Sequence, residues 1–162
     1  MPLVETATVA AGGAAVAQAI ASILPLINGA RSVVLEIDNN TNTTLTRVRD
    51  HHDHGGFAVT PSSNIPHRYA GVFGAQSSGG GLFTGTEGNI VYNIGGLGEL
   101  TISWVNPFIG GNESSGVVSG LQPTKFRVVT TTGAGNTAAH MRFELFDGAK
   151  TTKYLCGHST CC

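Results

Sequence analysis

The densest group of titratable side chains is the stretch Asp50–His54, which reads Asp-His-His-Asp-His. If this stretch is a strand, side chains two positions apart share a face, so His52 and His54 point the same way. Two imidazoles at this spacing can chelate a divalent cation if other segments supply further ligands. His52 and His54 are therefore the candidate metal ligands. The alternatives are a solvated polar rim at a strand end and a pH-sensitive cluster.

No recognisable enzyme motif accompanies the histidines. The sequence has no Gly-Lys-Ser/Thr phosphate loop, no Gly-x-Ser-x-Gly nucleophile elbow and no His-Glu-x-x-His helix. The three cysteines, Cys156, Cys161 and Cys162, all follow residue 155 and lack zinc-finger spacing, which suits an oxidisable tail as well as a metal site. We expect a protein that is not an enzyme and needs no cofactor.

The composition predicts one globular domain. Of 162 residues, 41% are hydrophobic and only 12% are charged, which favours collapse over disorder. Nine basic residues against ten acidic ones give a net charge of -1, so no broad basic field is available for nucleic acid. We expect a domain over residues 1–150 and a Cys/His-containing tail over residues 151–162. Residues 1–5 lack the positive region of a signal peptide.

Residues 6–30 carry no charged side chain. Apolar residues in this stretch recur with a period near 3.6, which predicts an amphipathic helix over about residues 6–27. Its apolar face comprises Val9, Val16, Ile20, Ile23, Leu24 and Ile27. From residue 6 to residue 24 such a helix would be about 28 Å long, close to the thickness of a bilayer core. It could insert into a membrane or pack permanently against a sheet.

After Arg31 the apolar residues alternate with a period of two, which is typical of strands. Clusters of Gly, Asn, Ser and Pro separate the alternating segments and supply turns. The predicted strands cover residues 32–38, 44–53, 68–73, 89–94, 99–105, 125–131 and 139–146. Many short strands behind one helix predict a mainly β protein, a single-domain β-sandwich with an amphipathic N-terminal helix.

The order of these features resembles that of the actinoporins, pore-forming cytolysins of the sea-anemone type. The matching motifs are Glu36-Ile37-Asp38-Asn39, Ile65-Pro66, Thr84-Gly85 and Asn106-Pro107-Phe108, and the resemblance spans about residues 8–147. It implies an actinoporin-like β-sandwich whose N-terminal helix detaches and inserts into the target bilayer during oligomerisation. It also implies a membrane-binding cytolysin or toxin that is secreted or released, acts at a target cell membrane and forms a homo-oligomer there.

The resemblance further implies a headgroup- or ligand-binding site. Its residues would be His54, Tyr69, Val105, Pro107, Phe108 and Asn112. In the family, the next loop carries aromatic rings that enter the membrane interface, but residues 109–116 contain none. Gln18 and Ser22 stand on the helix face where the family carries acids, so a pore lumen would be neutral. The target lipid therefore stays open.

Two classes of function agree with these features. The first is a pore-forming cytolysin, favoured because charges strongly oppose insertion and residues 6–30 have none. The second is a lectin-like module that binds carbohydrate or lipid headgroups without forming pores, favoured by the loss of the aromatic loop. In either case the partner would be a lipid membrane or a cell-surface glycan.

Overall fold

Two β-sheets form the body of the molecule in the computed structural model, which describes residues 8–79 and 83–148. The strands in chain order are β1 Val9–Ala10, β2 Ser32–Asn40, β3 Leu45–His54, β4 Gly56–Val59, β5 Asn64–Ile65, β6 Tyr69–Gln76, β7 Thr86–Ile94, β8 Glu99–Asn106, β9 Glu113–Ser119, β10 Phe126–Thr132 and β11 Ala139–Asp147. One sheet has the order β1-β6-β2-β11-β10, with β4 also paired to β6, and the other has the order β5-β3-β7-β8-β9. Only β2 and β11 pair in parallel among these described strands.

The main core fills the space between the two sheets. Its largest fully buried side chains include Trp104, Tyr92, Phe73 and Phe143. Alternation along β8 predicts that Ile102 and Trp104 share a face, and both are completely buried. Each large apolar side chain that leaves water contributes about 1.5–3 kcal/mol to folding, so this layer carries the stability of the sandwich.

The seven predicted strands correspond to β2, β3, β6, β7, β8, β10 and β11, and the mainly β sandwich with a short N-terminal helix is confirmed. The alternation pattern missed β1, β4 and β5 because they are too short for a period to register. It also missed β9, an edge strand rich in serine. Glycine is needed at position 116 in this strand, because a Cβ there would come within 2.8 Å of the Val128 side chain.

The predicted helix over residues 6–27 is wrong at both ends. Helix α1 spans only Gly13–Ile23. Val9 lies in β1, which pairs with β6, and Gly12 has a φ of 83° that separates strand from helix. Pro25 ends the helix, so Leu24–Leu26 forms a short 3-10 turn, as Pro123–Lys125 does later, and Ile27 is extended.

Helix α1 packs on the outer face of the six-stranded sheet. Val16 and Ile23 are buried there against a second apolar cluster, to which β2, β4 and β6 contribute Val34, Val59, Ala70 and Val72. Ile20 and Ile27 are partly buried against the same cluster, whereas Leu24 is 41% exposed. The predicted apolar face of α1 is thus turned toward the sheet.

Within residues 8–79 and 83–148, no helix combines the length and apolar character needed to cross a membrane.

Two acidic residues of β2 are buried on the same outer face. Glu36 and Asp38 are only 3% and 1% exposed. His140 lies 2.6 Å from Glu36, and Arg142 pairs with Glu36, Asp38 and Glu144 at 3.2, 2.6 and 3.1 Å. Both faces of β2 are buried, so the alternation of side chains along this strand does not indicate which of them are exposed to solvent.

Candidate functional site

A cavity of about 410 Å³ opens at one end of the sandwich, where β3 ends, β7 begins and β8 ends. Strand pairing sets His54 opposite Glu87, and Glu87 opposite Val105. The cavity brings together four of the predicted ligand-binding residues, namely His54, Val105, Pro107 and Phe108. The other described lining residues are Phe83, Thr84, Gly85, Thr86, Glu87 and Ile109.

Arg31 holds the Pro107–Phe108 wall of this cavity. Its Nε donates to the Pro107 carbonyl at 3.1 Å, and its Nη2 donates to the Phe108 carbonyl at 2.7 Å. The guanidinium also lies 4.8 Å from the centre of the Phe108 ring. Charge-assisted hydrogen bonds and a cation–π contact together fix both residues. The sequence signalled Arg31 only as the first charge after a long neutral stretch.

The mouth of the cavity has an exposed apolar rim. Phe83 is 72% exposed and Ile109 is 86% exposed. Phe83 stands edge-on to Phe108, with ring centres 4.9 Å apart. Its φ of 66° lies in the left-handed region, which is unusual for a bulky side chain and costs about 1–3 kcal/mol. A strained backbone thus presents an aromatic ring to solvent at this end of the molecule.

The cavity lining combines apolar and polar side chains and is sparsely charged. Glu87 and His54 are the titratable side chains among its described lining residues. The hydroxyl of Thr86 is buried and accepts a hydrogen bond from Trp104 at 3.3 Å. Gly85 is required beside it, because a Cβ there would lie 2.3 Å from the Asn106 carbonyl oxygen. The arrangement suits a ligand with a polar or cationic group inside and an apolar part at the rim.

The predicted metal pair His52 and His54 is not brought together by the structure. A β-bulge between them breaks the alternation, and the His52 ring packs edge-on against Phe57 at 4.3 Å and Trp104 at 5.5 Å. Burial lowers the pKa of His52, so the neutral imidazole serves core packing. Over residues 8–79 and 83–148, no three His, Cys, Asp or Glu side chains could hold a metal ion. The Cys156–Cys162 tail lies outside the described residues.

Two predicted ligand-binding residues do not line the cavity. Tyr69 is the first residue of β6, at the opposite end of that strand from Gln76. Asn112 donates to the carbonyls of Gly133 and Gly135 at 3.0 and 2.8 Å. Asn112 therefore ties two loops together and does not line the cavity, and its predicted role in ligand binding stays a prediction. Phe83, Ile109 and Glu87 line the cavity, and no sequence pattern singled them out.

Comparisons with known proteins agree on the fold. No family model matches the sequence, and no curated protein matches it. Among solved structures, the lipid-binding protein Nakanori superposes with a TM-score of 0.71 at 18% identity, over 80% of this chain and 78% of Nakanori. RahU, solved in complex with a TRIS molecule, gives 0.59 at 14% identity over 76% of this chain and 99% of its own. IP-1A from Alcaligenes faecalis gives 0.56 at 14% identity over 78% and 98%. The chain therefore has the actinoporin-like β-sandwich fold.

Proposed function

We propose that the protein binds lipid headgroups at a membrane surface through the cavity end of the sandwich, without catalysis. The observation that carries this proposal is the apolar rim of Phe83 and Ile109 around a cavity that contains Glu87. Aromatic and aliphatic side chains at such a rim can enter the interfacial layer while a headgroup occupies the cavity. The fold shared with a lipid-binding protein supports the proposal. Such a protein would be secreted or released and would act at a target membrane.

The variant Phe83→Gly tests this function. Glycine accepts the φ of 66° without strain, and this relief opposes the larger entropy that glycine gives the unfolded chain, so the fold should be kept while the rim loses its ring. Loss of the ring removes about 1.5–3 kcal/mol of transfer free energy, so partitioning onto vesicles should fall about 10- to 150-fold. Co-sedimentation with vesicles of varied headgroup measures it.

Arg68→Gly is the matched control for this experiment. Arg68 has a similar φ of 64° but lies beside β1, away from the cavity. Its substitution relieves the same backbone strain and should leave vesicle binding unchanged. Equal binding by both variants and the unmodified protein would contradict a membrane-binding rim.

We further propose pore formation, in which α1 leaves the sheet and enters the bilayer on oligomerisation. The neutrality of residues 6–30 supports this step, as does the small number of α1 side chains that are buried, Val16 and Ile23. Leaving the sheet would free the apolar face of α1 for lipid. The alternative is that α1 stays docked and the protein only binds the surface.

Leu24→Lys separates insertion from binding. Leu24 is already 41% exposed, so the docked structure tolerates lysine, but a charge on the apolar face of the inserting segment opposes its entry into lipid by up to about 2.5–3.5 kcal/mol, the cost at the centre of a spanning helix. Calcein release from vesicles should fall by up to about 350-fold, while vesicle binding is kept. Gln18→Lys, on the exposed polar face of α1, is the control that should retain release. Equal release by both variants would argue against insertion of α1.

A further inference from the structure

A second cavity of about 390 Å³ adjoins the first. It shares Phe83, Thr84 and Phe108 with the first cavity, so these residues form a common wall. Its other described lining residues come from segments 28–30 and 76–79. Every polar side chain among these described residues is an amide or a hydroxyl, and none is charged. The two neighbouring cavities therefore differ in chemistry.

Three polar side chains of the second cavity, those of Gln76, Asn28 and Ser78, can form hydrogen bonds with a ligand. The Gln76 Oε1 accepts from the backbone N–H groups of Asn28 and Gly29 at 2.9 and 3.0 Å. This leaves the Gln76 Nε2 as a donor with no acceptor among the described residues. The side chains of Asn28 and Ser78 likewise make no hydrogen bond within the described part of the chain and are exposed. The backbone of Gly29 approaches Gln76 closely, since a Cβ there would lie 2.7 Å from the Gln76 Cβ.

These groups select a class of ligand by elimination. A phosphate would find no basic side chain among the described lining residues, and an ammonium group would find no carboxylate. Sugar hydroxyls both donate and accept, which matches amide and hydroxyl partners. The apolar face of a sugar ring can pack against the rings of Phe83 and Phe108. The volume lies within the range of about 300–1,000 Å³ that small-molecule sites occupy.

We propose that this second cavity binds a neutral sugar ring. The site adjoins the lipid-binding cavity across their common wall, but its amide groups come from segments 28–30 and 76–79, so the proposal stands even if the first cavity binds no lipid. The sugar could come as a free glycan or as the headgroup of a glycolipid presented beside the rim of Phe83 and Ile109. Both sources offer the same hydroxyl chemistry, and the experiment below distinguishes them.

The test uses the full chain and two kinds of probe. The first probe is a panel of methyl glycosides of glucose, galactose, mannose and N-acetylglucosamine, followed by isothermal titration and saturation-transfer NMR. The second is phosphatidylcholine vesicles with and without about a tenth of a monoglycosyl lipid. Ser78→Trp fills the second cavity from an exposed position and should weaken sugar binding at least about tenfold. Leu121→Trp adds the same side chain at an exposed position that lines neither cavity and is the matched control, which should leave sugar binding unchanged.

Each outcome decides the proposal. Binding of a free glycoside that Ser78→Trp removes and Leu121→Trp preserves supports a sugar site. The same pattern seen only with glycolipid vesicles supports a sugar site that needs presentation at a membrane. No binding in either arm, or binding that survives Ser78→Trp, would overturn it. Far-ultraviolet circular dichroism of both variants shows whether they fold. The free glycosides are titrated without any lipid, so a failure of the unmodified protein to bind plain phosphatidylcholine vesicles contradicts the lipid-binding cavity and leaves this result intact.

Discussion

Asp38 is a buried acidic residue whose protonation state is set by its surroundings. Burial and the neighbouring Glu36 carboxylate raise the pKa of Asp38 to about 6, although Arg142 opposes the shift. Burial also acts on Glu36, but hydrogen bonds to His140 and Asp38 and the charges of His140 and Arg142 outweigh it and lower the pKa of Glu36. The pair therefore holds a proton on Asp38 in mildly acidic solution while Glu36 stays ionised.

This difference predicts a fall in stability as pH rises. The pKa of Asp38 in the folded state, about 6, lies above the ordinary value of 3.8, so protonation favours the fold. Its contribution is complete below pH 3.8 and is lost as pH rises through about 6. On going from pH 4.5 to pH 7.5, the free energy of unfolding should fall by about 2 kcal/mol from this group. Urea unfolding at several pH values measures it.

Asp38→Asn should flatten this dependence, because the amide stays neutral and still accepts from Arg142. Asp53→Asn, at an exposed position, is the control that should keep the slope of the unmodified protein. A steep slope retained in Asp38→Asn would assign the pH dependence to other groups. Glu36 acts in the opposite direction and only below pH 4.5, so it does not confuse the comparison.

At the scale of elements, the period of the apolar residues predicts where the long strands lie. It fails where contacts with distant parts of the chain decide the local structure. The pattern located β2, β3, β6, β7, β8, β10 and β11, but it placed Val9 in a helix because apolar spacing alone cannot reveal the pairing of β1 with β6. It placed His52 and His54 on one face because a bulge depends on the partner strand. Alternation also cannot show that α1 and its neighbours bury the second face of β2.

The candidate site was predictable to the extent that strand ends define it. Register alone brings His54 and Val105 to one end of the sheet, and the Pro107–Phe108 step follows directly. Arg31 and Phe83 could not be found in this way. The role of Arg31 depends on hydrogen bonds to the carbonyl groups of Pro107 and Phe108, which are far away in the sequence. The exposure of the Phe83 ring depends on a left-handed backbone in a loop. Neither feature produces a periodic pattern in the sequence.

Helix α1 should be less stable than the central strands of the two sheets, since it buries only two side chains fully. Ile23 is 2% exposed, and Ile23→Ala should weaken docking of α1 by about 2–4 kcal/mol through lost burial and a residual cavity. Hydrogen exchange of the α1 amides should then accelerate about 30-fold or more, while amides of the sheets keep their protection. Vesicle permeabilisation should rise with it if α1 is the inserting segment.

Leu26→Ala is the control for this prediction, because Leu26 is 46% exposed in the turn after α1. It removes a similar volume without opening the contact with the sheet, so exchange in α1 should stay near that of the unmodified protein. If Ile23→Ala accelerates exchange equally in the sheets, then α1 unfolds together with the sandwich and is not a separable element.

The two ends of the molecule, where strand β7 begins and where it ends, carry different features. The two cavities, Phe83 and Ile109 lie at the end where β7 begins, and the segment after α1 reaches the same end through Asn28 and Gly29. The opposite end is marked by the turn after β7, where Gln122 donates to the Leu97 carbonyl at 2.8 Å. The length of β7, nine residues, separates the two ends by about 26 Å.

This polarity predicts one orientation on a membrane. Ile109 and Leu121 are exposed to a similar degree, 86% and 83%, but Leu121 belongs to the far end, next to Gln122. In Ile109→Trp, vesicles of brominated lipid should quench the new indole strongly, because the rim enters the interfacial layer where aromatic side chains are favoured. In Leu121→Trp the indole should stay in water and keep its fluorescence. Trp104 is fully buried and contributes the same background to both. Equal quenching in the two variants would mean that the protein meets the membrane by another face, and the cavity end would then lose its role as the lipid-binding surface.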